Sequence, residues 1–159
     1  MANGVNEWSQ EGQLYVWRYA NPKHDWRGWH FTADPTGCRS VRNLLDRMHG
    51  GEACHRTLKL GTVTDAILSV PNYAAKAMGR FEKLRIEYVP GFDNLYVSPK
   101  ETALIMTVGD RRLRKLTAAF AEVEVGLGDF GIGTSDKKNA DTWMFWWMPS
   151  IKYHDGKRQ

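Results

Sequence analysis

The chain has 159 residues, 42% apolar and 25% charged, with a net charge of +4. That balance excludes a wholly disordered chain, and no run of about 20 apolar residues is present to form a membrane-spanning helix. Two cysteines cannot build a disulfide framework, and the polar start MANGVNEWSQEG has no secretory core, so the expected compartment is the cytoplasm with both thiols reduced.

The length suits a single domain, 1–159, with loose polar ends over about 1–11 and 152–159. GQLYVWRYA alternates Leu14, Val16 and Arg18 against Tyr15, Trp17 and Tyr19, which predicts a strand rich in β-formers. NPKHD is a turn, and WRGWHFT is a second short strand. A helix follows over about 35–49. Asp34 is its N-cap and Pro35 its first residue, where a missing N–H costs nothing. Cys38, Val41, Leu44, Leu45 and Met48 share its apolar face, and Gly50-Gly51 ends it.

CHRTLKLG reads as a strand. TVTDAILSV is ambiguous between strand and helical turn, and YAAKAMGRF suggests a short helix. KLRIEYV, NLYVS and TALIMTV are strands with hairpin-type turns between them. A second helix spans about 111–123 with Asp110 as N-cap and Leu113, Leu116, Phe120 and Val123 on its apolar face. A glycine-rich stretch and an aromatic strand close the chain. Hairpins without regular βαβ alternation predict an α+β fold: a mainly antiparallel sheet with both helices packed on one face.

DTWMFWWMPS, residues 141–150, raises the question of a partner surface. On a strand, Trp143, Phe145 and Trp147 point one way and Met144, Trp146 and Met148 the other. One reading is a central strand buried on both sides. The other follows from helices covering only one face. It makes Trp143, Trp146 and Trp147 an exposed aromatic interface, for a homodimer or another protein.

Motifs of chemistry are weak. Gly126-x-Gly128-x-x-Gly131 matches a dinucleotide fingerprint as a string, but a helix precedes it and a polar loop follows. Asp129-Phe130-Gly131 lacks every other kinase element, so the bland reading is a glycine-rich turn packed against the tryptophan strand. Cys38, His49, Cys54 and His55, with His24 and His30 nearby, are competent zinc ligands without ligand spacing. Adjacent Cys54 and His55 point to opposite faces of a strand. No carboxylate pair is readable. No metal, cofactor or catalytic residue is assigned.

GDRRLRKL places Arg111, Arg112, Arg114 and Lys115 in the first five residues of a helix, where the dipole already disfavours cations. An anion or acidic partner would explain them. Replacing Arg112 or Arg114 is then expected to leave stability equal or higher and to weaken binding. The expected function is a small non-catalytic binding or regulatory module acting on a protein partner, possible homodimer included, by analogy with immunity-type modules. One alternative is a nucleic-acid binder using the 111–115 cluster with Arg39, Arg42 and Arg47. A second is a small enzyme with a Cys/His site.

Overall fold

The computed structural model describes residues 4–23, 26–73, 76–128, 130–137 and 140–149. The elements run β1 (Leu14–Tyr19), β2 (His30–Ala33), α1 (Pro35–Met48), β3 (Cys54–Lys59), α2 (Asp65–Leu68), β4 (Ala77–Met78), β5 (Lys83–Tyr88), β6 (Leu95–Lys100), β7 (Ala103–Val108), α3 (Asp110–Glu124), β8 (Phe130–Gly133) and β9 (Thr142–Phe145). The α+β class holds, with two sheets rather than one: β4-β1-β2-β9-β8 and β3-β5-β7-β6. Pairing is mostly antiparallel, and β2–β9 and β5–β7 are parallel.

The second sheet departs from a simple meander because β7 inserts between β5 and β6. The 89–94 loop is long enough to carry the chain past one strand width. Only β6 and β7 are joined tightly, through Glu101 in a left-handed conformation (φ 58°). Pro99 lies on β6, at the sheet edge, where its missing N–H is harmless.

The predicted face of α1 is buried, and so is that of α3. These faces join Leu14, Val16, Phe31 and Phe145 from the first sheet and Leu84, Ile86, Leu104 and Met106 from the second in one apolar cluster. Asp34 caps α1 as expected, accepting from Gly37 N at 2.7 Å, and its Oδ1 also accepts from Gln13 N at 3.0 Å. The cap therefore ties the start of β1 to the start of the helix.

At α3 the N-cap is Gly109, not Asp110, which is the first helical residue and accepts a hydrogen bond from the Tyr88 hydroxyl. The physical reason is space. A Cβ at 109 would run into the carbonyl oxygens of Phe92 and Val89, and backbone cannot yield as a side chain can. Gly109→Ala is expected to cost about 3 kcal/mol in urea unfolding. An unchanged midpoint would mean that the 89–92 turn moves aside freely.

Two stretches differ from expectation. The N-terminal segment is not loose over 5–8: Val5 and Trp8 are buried, and Trp8 Nε1 donates to Ser40 O at 2.8 Å. Farther on, the Gln10 amide pairs with both backbone groups of Lys59, at 2.9 and 2.7 Å, and so blocks the open edge of β3. Residues 152–159 lie outside the described residues. In YAAKAMGRF, Ala77 and Met78 form β4 against Tyr19 and Arg18 instead of a helix. The free edge of β1 offers ladder bonds that outweigh alanine's helix propensity. Ala74 and Ala75 are outside the described residues. The ambiguous 62–70 stretch resolves into α2, capped by the Thr64 hydroxyl.

Candidate functional site

β9 sits between β2 and β8, which makes the aromatic stretch a central strand. Trp143 and Phe145 enter the main core, 3% and 0% exposed. Trp146, 5% exposed, joins a second cluster on the opposite face, together with Met144. That face is covered by Trp26 and by Val63, Ile67, Leu68, Val70 and Tyr73 from the α2 region. The expected open interface at Trp143 and Trp146 is therefore corrected to buried core. Trp147 was expected beside Trp143. It lies half-buried in the second cluster, because the β9 ladder ends at Phe145 and no longer enforces alternation. The nearby glycines serve close packing: a Cβ at Gly128 would sit 2.6 Å from Trp147 N.

His30 lies at the centre of this second face, fully buried. Trp17, Trp26 and Trp146 stack around its ring at 5.8, 5.8 and 6.2 Å, and Tyr19 meets it edge-on at 4.8 Å. Trp146 Nε1 donates to His30 Nδ1 at 3.1 Å. The proton therefore resides on Nε2, which donates to Trp26 O at 3.1 Å. Burial pushes the imidazole down to about 4, against the smaller upward pull of the Trp26 carbonyl. On the same face Trp17 Nε1, Tyr19 Oη and Thr32 Oγ1 are buried without a well-aligned hydrogen-bond partner among the described residues.

The basic turn of α3 does not form one patch. Arg112 is 2% exposed, and its guanidinium donates to Asp93 O at 3.3 Å and to Asp136 Oδ1 at 2.7 Å. Arg111 pairs with the same carboxylate. Burial works to raise the Asp136 carboxyl, but the two guanidinium groups together hold it below the usual range. Arg114 Nε donates to His49 Nε2 at 3.1 Å, and Lys115 is exposed. The α1 cations are also engaged. Arg39 and Arg42 pair with Glu124, and Arg47 donates to Gly4 O and Asn43 Oδ1.

His49 Nε2 lies 4.0 Å from Asp110 Oδ1, which makes Tyr88, Asp110, His49 and Arg114 a polar chain across the helix ends. Cys54 pairs with Tyr88 in register, and burial raises its thiol, the reverse of an activated nucleophile. Burial also pushes the Cys38 thiol up to about 12. Among the described residues no group of three His, Cys, Asp or Glu is placed to hold a metal. His24, Asp25 and Asp129 are outside the described residues. No helix among the described residues is long and apolar enough to cross a membrane.

The site that sequence reading missed is the outer face of the second sheet. Inward positions such as Leu84, Ile86, Leu104 and Met106 are buried, so their neighbours point away from the core. The register aligns Lys59, Lys83, Ala103 and Lys100 in one row, Thr57, Arg85, Ile105 and Ser98 in the next, and His55, Glu87, Thr107 and Tyr96 in the third. Lys59 stands directly opposite Lys83, a like-charge pair that a sheet normally avoids. Glu87 is the one acidic residue in these rows, and Arg85 Nε takes it at 2.6 Å. Tyr96 is 60% exposed. The alternation in KLRIEY signalled an outward polar face, but its assembly across strands depends on register. No family model, no curated protein and no solved structure matches the chain.

Proposed function

We propose that the protein is a cytoplasmic, non-catalytic binding module that takes an acidic protein partner on the outer face of its second sheet. One observation carries the reading: Lys59, Lys83 and Lys100 share a row without a carboxylate among them, next to an exposed Tyr96 and a half-exposed Ile105. Unrelieved like charges across a ladder cost stability, and an acidic partner removes that cost. Tyrosine and an aliphatic centre inside a charged rim match the anatomy of a protein interface. A single exposed ring on the face is thin for stacking successive bases, which favours protein over single-stranded nucleic acid. This reading assigns no cysteine nucleophile, in keeping with both thiols being raised by burial rather than activated.

The test uses isotope-labelled protein titrated with a glutamate-rich peptide and with a single-stranded oligonucleotide of equal charge. Shifts in the peptide arm are expected on Lys83, Arg85, Tyr96 and Ile105, and a Lys83→Glu/Tyr96→Ala variant is expected to bind roughly tenfold more weakly. Rising salt should weaken both forms. Tighter binding of the oligonucleotide, with Tyr96 fluorescence quenched, would replace this reading by the nucleic-acid one. Shifts scattered over the whole surface would remove both.

A further inference from the structure

The edge of β1 remote from β2 is not fully paired. Gln13 O accepts from Asp34 N on the β2 side, so the odd-numbered residues of this strand face β2. The even-numbered residues turn their backbone groups the other way. There Leu14 O accepts from Gly61 N at 2.9 Å, Arg18 pairs with Met78, and Ala20 N donates to Lys76 O at 2.9 Å. Val16 lies between these anchors, and its N–H and C=O have no partner on that edge among the described residues. The stretch from Leu14 to Arg18 is ~13 Å long, closed by Gly61 at one end and β4 at the other.

A cleft of about 240 Å³ opens at this gap. Val16 and Trp17 form its floor, with Leu60, Val63 and Phe81 as apolar walls and Arg80 on its lining. Trp17 is 2% exposed, and among the described residues its indole N–H makes no well-aligned hydrogen bond; Tyr19 Oη, two residues along the same face, is its nearest polar neighbour in electrostatic terms but is itself left unpaired. Arg80 is exposed and makes no ion pair among the described residues. A buried donor, an open backbone rung, apolar walls and a cation converge on one small space. Buried polar groups without partners are rare and costly, which argues for an occupant that satisfies them.

We propose that this cleft binds an acylated amino acid, either free or as the C-terminal residue of a peptide. The ligand adds one rung to β1: its amide N–H donates to the Val16 carbonyl, and its carboxylate accepts from the Val16 N–H and meets Arg80. Its acyl carbonyl accepts from the Trp17 indole, and its aliphatic side chain lies against Leu60, Val63 and Phe81. This is strand addition shortened to a single residue. Glu82 also lines the cleft and selects against a second negative charge on the ligand.

The experiment follows the Val16 amide and the Trp17 indole N–H of isotope-labelled full-length protein during titration. The probes are N-acetyl-leucine, N-acetyl-leucinamide and acetyl-Gly-Gly-Leu. Both resonances are expected to shift saturably with N-acetyl-leucine, and the uncharged amide should bind roughly tenfold more weakly. Arg80→Ala should bring the acid down to the level of the amide without lowering the melting temperature, because Arg80 is an exposed side chain. Trp17→Phe keeps an aromatic ring without the donor and should weaken the acid by roughly tenfold. Tighter binding of the tripeptide identifies a chain terminus as the ligand, and equal or weaker binding identifies the free acylated amino acid. Absence of a saturable shift at either resonance up to about 10 mM acid, or equal affinity for acid and amide, overturns the proposal.

Discussion

Lowering the pH from about 7 to about 4 is expected to cost the protein about 3 kcal/mol through His30 alone. The ring is neutral in the fold, and burial holds it at about 4 against an ordinary value of 6.5. Between those values the unfolded chain carries a proton on this histidine and the folded chain does not. Stability therefore rises with pH across that window: it is fully present above 6.5 and falls away as the pH drops toward about 4. The described groups around the ring are Trp17, Tyr19, Trp26 and Trp146, and none of them changes charge in this range. Protonation would also put a hydrogen on Nδ1, facing the Trp146 N–H that now donates to it. Urea unfolding of the wild type and of His30→Gln at three pH values checks this. Glutamine offers an acceptor and a donor without titrating, so the variant should be weaker at neutral pH and lose the slope between 6.5 and 4. Parallel curves for the two proteins would show that His30 is not the group responsible.

What the sequence made legible follows how local each signal was. The Asp34 cap, Pro35 and the stripe from Cys38 to Met48 lie within fifteen consecutive residues, and α1 forms as read. The two-sided burial of β9 was also readable from alternation, since both its faces are apolar. The choice between core and interface was not readable there. It depended on whether the ambiguous 62–70 stretch, with Tyr73 after it, folds over the second face, and nothing within residues 141–150 encodes that. Likewise Lys59, Lys83 and Lys100 become neighbours only once β7 inserts between β5 and β6. The 111–115 cluster misled for the opposite reason. Adjacency in sequence suggested adjacency in space, whereas a helix turns about 100° per residue and sends neighbours to different faces. The corrective signal was present: Arg112, Leu116, Phe120 and Val123 fall on one stripe at i, i+4, i+8 and i+11, which puts Arg112 on the buried side.

That placement reverses the expected effect of removing it. Arg112→Ala is expected to destabilise the protein by about 2–3 kcal/mol, whereas Arg111→Ala should change stability by no more than about 0.5 kcal/mol. Both guanidinium groups reach Asp136, but that carboxylate is 59% exposed, so little of the difference is Coulombic. The difference comes from burial. The Arg112 side chain is 3% exposed against 54% for Arg111, so its aliphatic stem fills space on the buried side of α3. Truncation leaves that space empty and removes a donor from Asp93 O. Arg112→Met separates the two contributions, because methionine restores most of the volume and none of the hydrogen bonds. It should fall between wild type and Arg112→Ala, and the cost of each variant should depend little on salt, as a buried contact requires. A neutral Arg112→Ala beside a costly Arg111→Ala would mean that the exposed cation carries the contact to the 93 and 136 loops. The buried arginine would then be a passenger of the helix.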